Sequence, residues 1–94
     1  MTVLEKDIES AFQRKAKSLG WLTHKLDSGR VSRGWPDRMV LLPNGNIVFI
    51  ELKTPKGKVS QLQEFRHGQL RDFLQTVYVC RSAKEAIDTC LRHC

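Results

Sequence analysis

Two apolar runs, Met39–Leu42 and Ile47–Leu52, flank the short segment Pro43-Asn44-Gly45, and this spacing constrains the fold more than any other feature of the chain. Proline suits the second position of a type I turn, and glycine the left-handed residue that follows it. A three-residue hairpin loop is therefore predicted. It sets Leu42 opposite Asn46, Leu41 opposite Ile47, Met39 opposite Phe49 and Asp37 opposite Glu51. Residues directly opposite share a face of the sheet. Asp37 and Glu51 would then project side by side, with Lys53 one step further along the same face. A two-residue loop at Asn44-Gly45 would instead put the two acids on opposite faces.

Helical periodicity precedes the hairpin. From Val3 to Leu19, Leu4, Ile8, Ala11, Phe12 and Leu19 recur at helical spacing, with Lys6, Ser10, Gln13, Arg14 and Lys17 on the other side. Thr2 and Glu5 read as a capping box, and Gly20 as the stop. A short strand is expected over Trp21–Leu26, then a loop, DSGRVSRG, that leads into the hairpin. Beyond it, the lysine- and glycine-rich TPKGK segment is expected to be mobile. Ser60 and Gln63 form a second capping box and open a helix to about Leu74, with Leu62, Phe65, Leu70 and Phe73 inward and His67 on the outer side. Val77–Cys80 reads as a strand. Ser82 and Glu85 open a last helix with Ala83, Ala86, Ile87, Cys90 and Leu91 on one face. The order α-β-β-β-α-β-α predicts an α/β fold: a mixed sheet flanked by helices, its last strand arriving by a crossover and so pairing in parallel.

The 94 residues are read as one domain spanning 1–94. A net charge of +6 points to nucleic acid, or less often to an anionic membrane surface. No apolar run approaches the ~18 residues of a membrane span, and Lys6 and Asp7 interrupt any secretory core. Cys80, Cys90 and Cys94 are odd in number and lack a C-x-x-C pair, which argues against a disulfide framework or a zinc site. A reduced, cytoplasmic setting is expected.

Like charges directly across a strand pair are destabilising. An Asp at a strand start and a Glu-x-Lys at a strand end are commonly just solvated strand ends. The hairpin register, the spacing and the basic charge weigh against that here. A divalent cation between the acids would remove the conflict, and oxygen donors suit Mg²⁺ or Mn²⁺. The Leu52 carbonyl offers a further neutral ligand. A cation there could activate water and stabilise charge on a phosphate under attack, with Lys53 assisting.

Gly34-Trp35-Pro36-Asp37, thirteen residues, then Glu51-Leu52-Lys53, resembles the PD-(D/E)XK nuclease signature. The element order is similar to the αβββαβ core of that restriction-endonuclease-like superfamily, with an added C-terminal helix. The likeness is closest to the virus-type replication-repair nuclease (VRR-NUC) domain in its small stand-alone phage and bacterial form. The Ile8-Glu9 pair and the Val59-Ser60-Gln61-Leu62-Gln63 stretch also carry it. The resemblance implies that Asp37, Glu51 and the Leu52 carbonyl bind Mg²⁺ or Mn²⁺, and that Lys53 assists the attacking water. It further implies that Glu9 adds a third carboxylate from the first helix and that Gln63 sits beside the site, although capping alone would account for Gln63. Glu5 and Glu9 both lie at the border of the apolar stripe, one turn apart, and Glu9 is preferred because Glu5 already has a capping role.

Lys25, Arg30, Arg33, Arg38, Lys56 and Lys58 border the expected site and are read as a phosphate-backbone track. His24, His67 and His93 form no cluster in the sequence, and Trp21 and Trp35 are read as core or rim residues. The resulting expectation is a metal-dependent DNA endonuclease acting on branched DNA, Holliday junctions being favoured by the resemblance, and working as a homodimer. The alternatives are a non-catalytic DNA-binding or nuclease-accessory module and, less favoured, a protein-interaction domain.

Overall fold

The computed structural model describes residues 3–26 and 33–94. The elements are α1 (Glu5–Ser18), β1 (Leu22–Lys25), β2 (Arg38–Leu41), β3 (Ile47–Leu52), α2 (Gln61–Asp72), β4 (Thr76–Cys80) and α3 (Ala83–Leu91). The strands form one sheet in the order β1-β2-β3-β4. The first two pairings are antiparallel and β3–β4 is parallel, as a crossover through α2 requires.

The hairpin adopts the predicted register. Met39 pairs with Phe49 and Leu41 with Ile47. The Gly45 N–H donates to the Leu42 carbonyl at 2.9 Å, the Leu42 N–H to Asn46 at 2.9 Å, and Gly45 takes the left-handed conformation at φ 92°. Alternate β3 residues serve two cores. Val48, Ile50 and Leu52 pack with Ile8, Phe12 and Ala16 of α1 and with Ala86, Ile87 and Cys90 of α3. Phe49 turns the other way, to Leu70 of α2 and Val77 of β4, with Trp35 and Met39 at the edge. Burial holds Cys80 and Cys90 as thiols, pushing them up to about 11 and about 12. No described helix is long and apolar enough to cross a membrane.

Two helices depart from expectation. Thr2 lies outside the described residues, and the N-cap position of α1 is taken by Leu4, whose side chain makes no capping bond. Glu5 is therefore the first helical residue. Leu4 and Leu19, expected inward, are exposed, and Ile8, Phe12 and Ala16 carry the buried stripe. The larger correction concerns α2. Leu62, Phe65 and Phe73 are exposed, Phe73 at 79%, as is Leu74 just beyond the helix, whereas His67 is buried with Leu70. Gln63, His67 and Leu70 follow i, i+4, i+7 and share one face. Polar contacts of the first two to Glu51 orient the helix, and Phe65 is thereby rotated to the opposite side.

Gly34 has φ 83°, and a Cβ there would lie 2.8 Å from the Leu62 carbonyl oxygen and 2.9 Å from its Cγ. The segment leading to Asp37 thus rests directly on the start of α2. Gly34→Ala should lower stability by roughly 1–3 kcal/mol through left-handed strain alone, and the contact with Leu62 backbone adds to it. Thermal unfolding checks this, with a fall in Tm of about 4–8 °C expected per kcal/mol.

Candidate active site

Asp37 stands at the entrance to β2 and Glu51 near the end of β3, where the sheet brings the two chain segments together. One oxygen of Asp37, Oδ2, accepts the Leu52 N–H at 2.7 Å, which fixes the side chain across the strand pair. Glu51 is 1% exposed, an uncommon placement for a carboxylate that demands partners. Its Oε1 lies 3.3 Å from Nε2 of His67, and its Oε2 accepts from Nε2 of Gln63 at 3.3 Å. The Lys53 ammonium, largely shielded, is 4.0 Å from the same Oε2.

Gln63 performs both jobs between which its sequence position left the choice open. Its Oε1 accepts the Ser60 N–H at 2.9 Å and completes the capping box, while its amide nitrogen reaches Glu51. The cap fixes the first turn of α2, and the first turn fixes the donor.

A third carboxylate, that of Glu5, lies beside these two. Carboxylate oxygens of Glu5, Asp37 and Glu51 lie within 4.8 Å of one another. Glu9, the acid expected there, is directed elsewhere. Its Oε1 accepts from Nη2 of Arg38 at 2.8 Å and lies 3.4 Å from the Lys25 ammonium. Arg38 also donates to Gln13 Oε1 at 2.7 Å. At 7% exposure it is not a surface phosphate contact but the centre of a polar clasp between α1 and β2, correcting its place in the basic track.

The three-acid cluster carries an electrostatic conflict. Burial, followed by the charge of Glu51, pushes Asp37 up to about 7; the Leu52 N–H opposes this, and Glu5 adds to it. An acid raised in the folded state above its unfolded value favours folding at low pH and loses that contribution as pH rises through the folded value. Without metal, Tm should therefore decline from about pH 4 to about pH 7 relative to Asp37→Asn, and run parallel to it above. Millimolar Mg²⁺ should raise Tm more at pH 8 than at pH 5. Both are read by thermal melts in EDTA and in Mg²⁺.

The donor set suits a hard cation, being all oxygen and anionic. Glu5, Asp37 and Glu51, whose carboxylate oxygens lie within 4.8 Å of one another, would hold such an ion.

The remaining basic residues are less uniform than a simple track. Lys25 is mostly exposed despite its contact with Glu9, and Arg33, Lys56 and Lys58 are exposed; Arg30 lies outside the described residues. The segment from Thr54, expected to be mobile, is clasped. Arg81 Nη1 donates to the carbonyls of Thr54 at 2.8 Å and Gly57 at 2.6 Å, and the Gly57 N–H closes a turn onto Thr54 at 3.0 Å. Arg66 sits over the Trp35 ring, 5.9 Å from its centroid, and donates to Gln69 at 2.7 Å.

His67, which sequence reasoning put on the outer side of α2, lies buried against Glu51. Its signal was its position one turn after Gln63, on the same helical face.

Similar proteins point to a nuclease family. The model of the VRR-NUC domain matches residues 2–84. A protein of Acyrthosiphon pisum secondary endosymbiont phage 1, named "Putative nuclease p44", is 39% identical over 69 residues, covering 72% of each chain. A solved structure described as a VRR_NUC domain superposes with a TM-score of 0.77 at 32% identity, over 95% of both chains. With its mixed four-stranded sheet and three helices arranged as in that structure, the chain belongs to the VRR-NUC family of nuclease domains.

Proposed function

We propose that this chain is a Mg²⁺- or Mn²⁺-dependent endodeoxyribonuclease, its 94 residues forming one nuclease domain. The observation that carries the reading is the convergence of Glu5, Asp37 and Glu51 beside the shielded Lys53, in a chain of a nuclease family. The Leu52 carbonyl joins the three acids as a fourth oxygen donor. A strand residue directs its N–H and C=O to the same edge, and the Leu52 N–H already meets Asp37.

A divalent cation held by these donors supplies Lewis acidity toward a phosphate oxygen and lowers the pKa of a water. The protein's own groups do the rest. Lys53 orients the attacking water and offsets negative charge developing on the phosphate. Gln63 holds Glu51 from α2. The exposed Arg33, Lys56 and Lys58, with Lys25, draw the phosphate backbone to the site, contributing affinity with little sequence preference. Attack in line with the departing 3′ oxygen leaves a 5′ phosphate.

The substrate is branched DNA, with four-way junctions the favoured form, and the working unit is a homodimer, since one small domain offers one centre and two strands must be cut. Exposed Leu62, Phe65, Phe73 and Leu74 along α2 provide an apolar surface consistent with self-association. The setting is the cytoplasm of a bacterial or phage-infected cell.

Labelled four-way junction, flap and plain duplex, incubated with Mg²⁺, Mn²⁺ or EDTA, test the reading. Metal-dependent cutting with preference for the junction is expected. Tight junction binding with no cutting in either metal would favour a non-catalytic DNA-binding or nuclease-accessory module. Neither binding nor cutting would leave the acids as strand ends.

A further inference from the structure

We propose that His67 is a positioning residue for the metal centre. It donates its Nε2 hydrogen to Glu51 Oε1 and so sets the plane in which Glu51 presents its carboxylate. The proposal rests on the reading of Glu51 as a metal ligand.

The two side chains are 2% and 1% exposed, and 3.3 Å separates Nε2 from Oε1. An ionised carboxylate only accepts hydrogen bonds, so the nitrogen facing it must carry the hydrogen. The opposite oxygen, Oε2, is met by Gln63. Glu51 is thus gripped at both oxygens by donors from a single helix, four residues apart on one face.

That helix is held at its start by a complete capping box. A carboxylate otherwise turns freely about its terminal bond, and its lone pairs sweep a wide arc. Two donors on a fixed helix confine them. Each oxygen retains a second acceptor direction, so the grip leaves Glu51 able to face a cation. Partners that fix the orientation of a metal-binding side chain typically account for about 10–100-fold in metal affinity.

A purely structural role would also explain a buried histidine, so the test separates the two. His67→Leu keeps approximate bulk and removes the donor; in His67→Gln the amide nitrogen takes the place of Nε2. Mn²⁺ binding is measured by calorimetry on each protein without DNA, alongside the Mg²⁺ concentration for half-maximal junction cleavage. The expected result is Mn²⁺ affinity lowered about 10–100-fold in His67→Leu and largely restored in His67→Gln. The KM for DNA should be unchanged in both.

Equal Mn²⁺ affinity in the wild type and a folded Leu variant would overturn the proposal. So would equal losses in both variants, since ring packing rather than the donor would then be responsible. A wild type that binds no Mn²⁺ would overturn the metal reading itself, which distinguishes the two failures. Long-range ¹H–¹⁵N correlation on the intact wild type gives an answer that does not depend on any variant folding. A hydrogen on Nε2 of His67 is expected, and a bare Nε2 would overturn the proposal.

Discussion

Asp37→Asn and Lys53→Ala should each fold, bind a four-way junction and cut it far more slowly than the wild type. Removal of one preorganised charge-stabilising group typically costs about 10²–10³ in rate. Lys53→Ala is expected in that range at saturating Mg²⁺, because on the proposed reading Lys53 acts on the attacking water, and its loss leaves the three carboxylates in place. Asp37→Asn should fall lower, since on that reading it removes a metal ligand as well as a charge. The stability readout runs in the opposite direction. Asp37 is pushed up to about 7 chiefly by burial and by Glu51. Its ionised form is therefore a strain on the metal-free fold, while an asparagine oxygen can still accept the Leu52 N–H. Without metal at pH 8, Asp37→Asn should melt no lower than the wild type and gain little from Mg²⁺, whereas the wild type should gain. An inactive variant that is also the more heat-stable one excludes misfolding as the cause of lost cleavage. An active Asp37→Asn, or an Asp37→Asn destabilised in EDTA, would sink this account of the site.

The hairpin was legible because short-range rules determine it. Pro43-Asn44-Gly45 admits one comfortable loop, and the loop sets every cross-strand pair from Leu42 out to Asp37. The parallel final strand was legible for a topological reason, since α2 must carry the chain back to the start of β4. The face of α2 was not. Leu62, Phe65, Leu70 and Phe73 form a convincing apolar stripe, yet only Leu70 is buried. Apolar periodicity assumes that burial of hydrocarbon decides helix rotation. Here a buried carboxylate on the neighbouring strand requires donors, and an unpaired buried charge costs more than exposing a phenylalanine. Gln63 and His67 therefore point inward.

The clasp on the segment after Thr54 was hidden for a different reason. Its anchor, Arg81, follows β4 and is 24 residues from Gly57, and it binds backbone carbonyls, which carry no sequence signature. Arg38 was misread for a related cause. An arginine beside an acidic motif in a basic chain looks like a phosphate contact, and nothing local announces that Glu9 and Gln13, one turn apart on α1, will enclose it.

Glu5→Gln should impair cleavage severely while Glu9→Gln should mainly impair stability. The choice between these acids turned on helix capping. Sequence reasoning gave Glu5 a capping role with Thr2, which lies outside the described residues; α1 begins at Glu5 itself, behind Leu4. Its carboxylate joins Asp37 and Glu51, and the Glu9 carboxylate, one turn on, meets Arg38 and Lys25. Loss of one carboxylate among three should raise the Mg²⁺ requirement of Glu5→Gln and lower its rate by about 10²-fold or more at fixed millimolar metal. It should also relieve repulsion on Asp37, lowering the pH range over which metal-free stability declines. Glu9→Gln keeps an acceptor for Arg38 but removes the charge that balances a buried guanidinium. A hydrogen bond to a charged group contributes about 1.5–3 kcal/mol, so a fall in Tm of several degrees is expected, with cleavage near normal below the transition. Rates and melts on both variants decide between them. The reverse pattern, with Glu9→Gln stable and inactive and Glu5→Gln fully active, would return the third carboxylate to Glu9 and would require α1 to turn about its axis when metal binds.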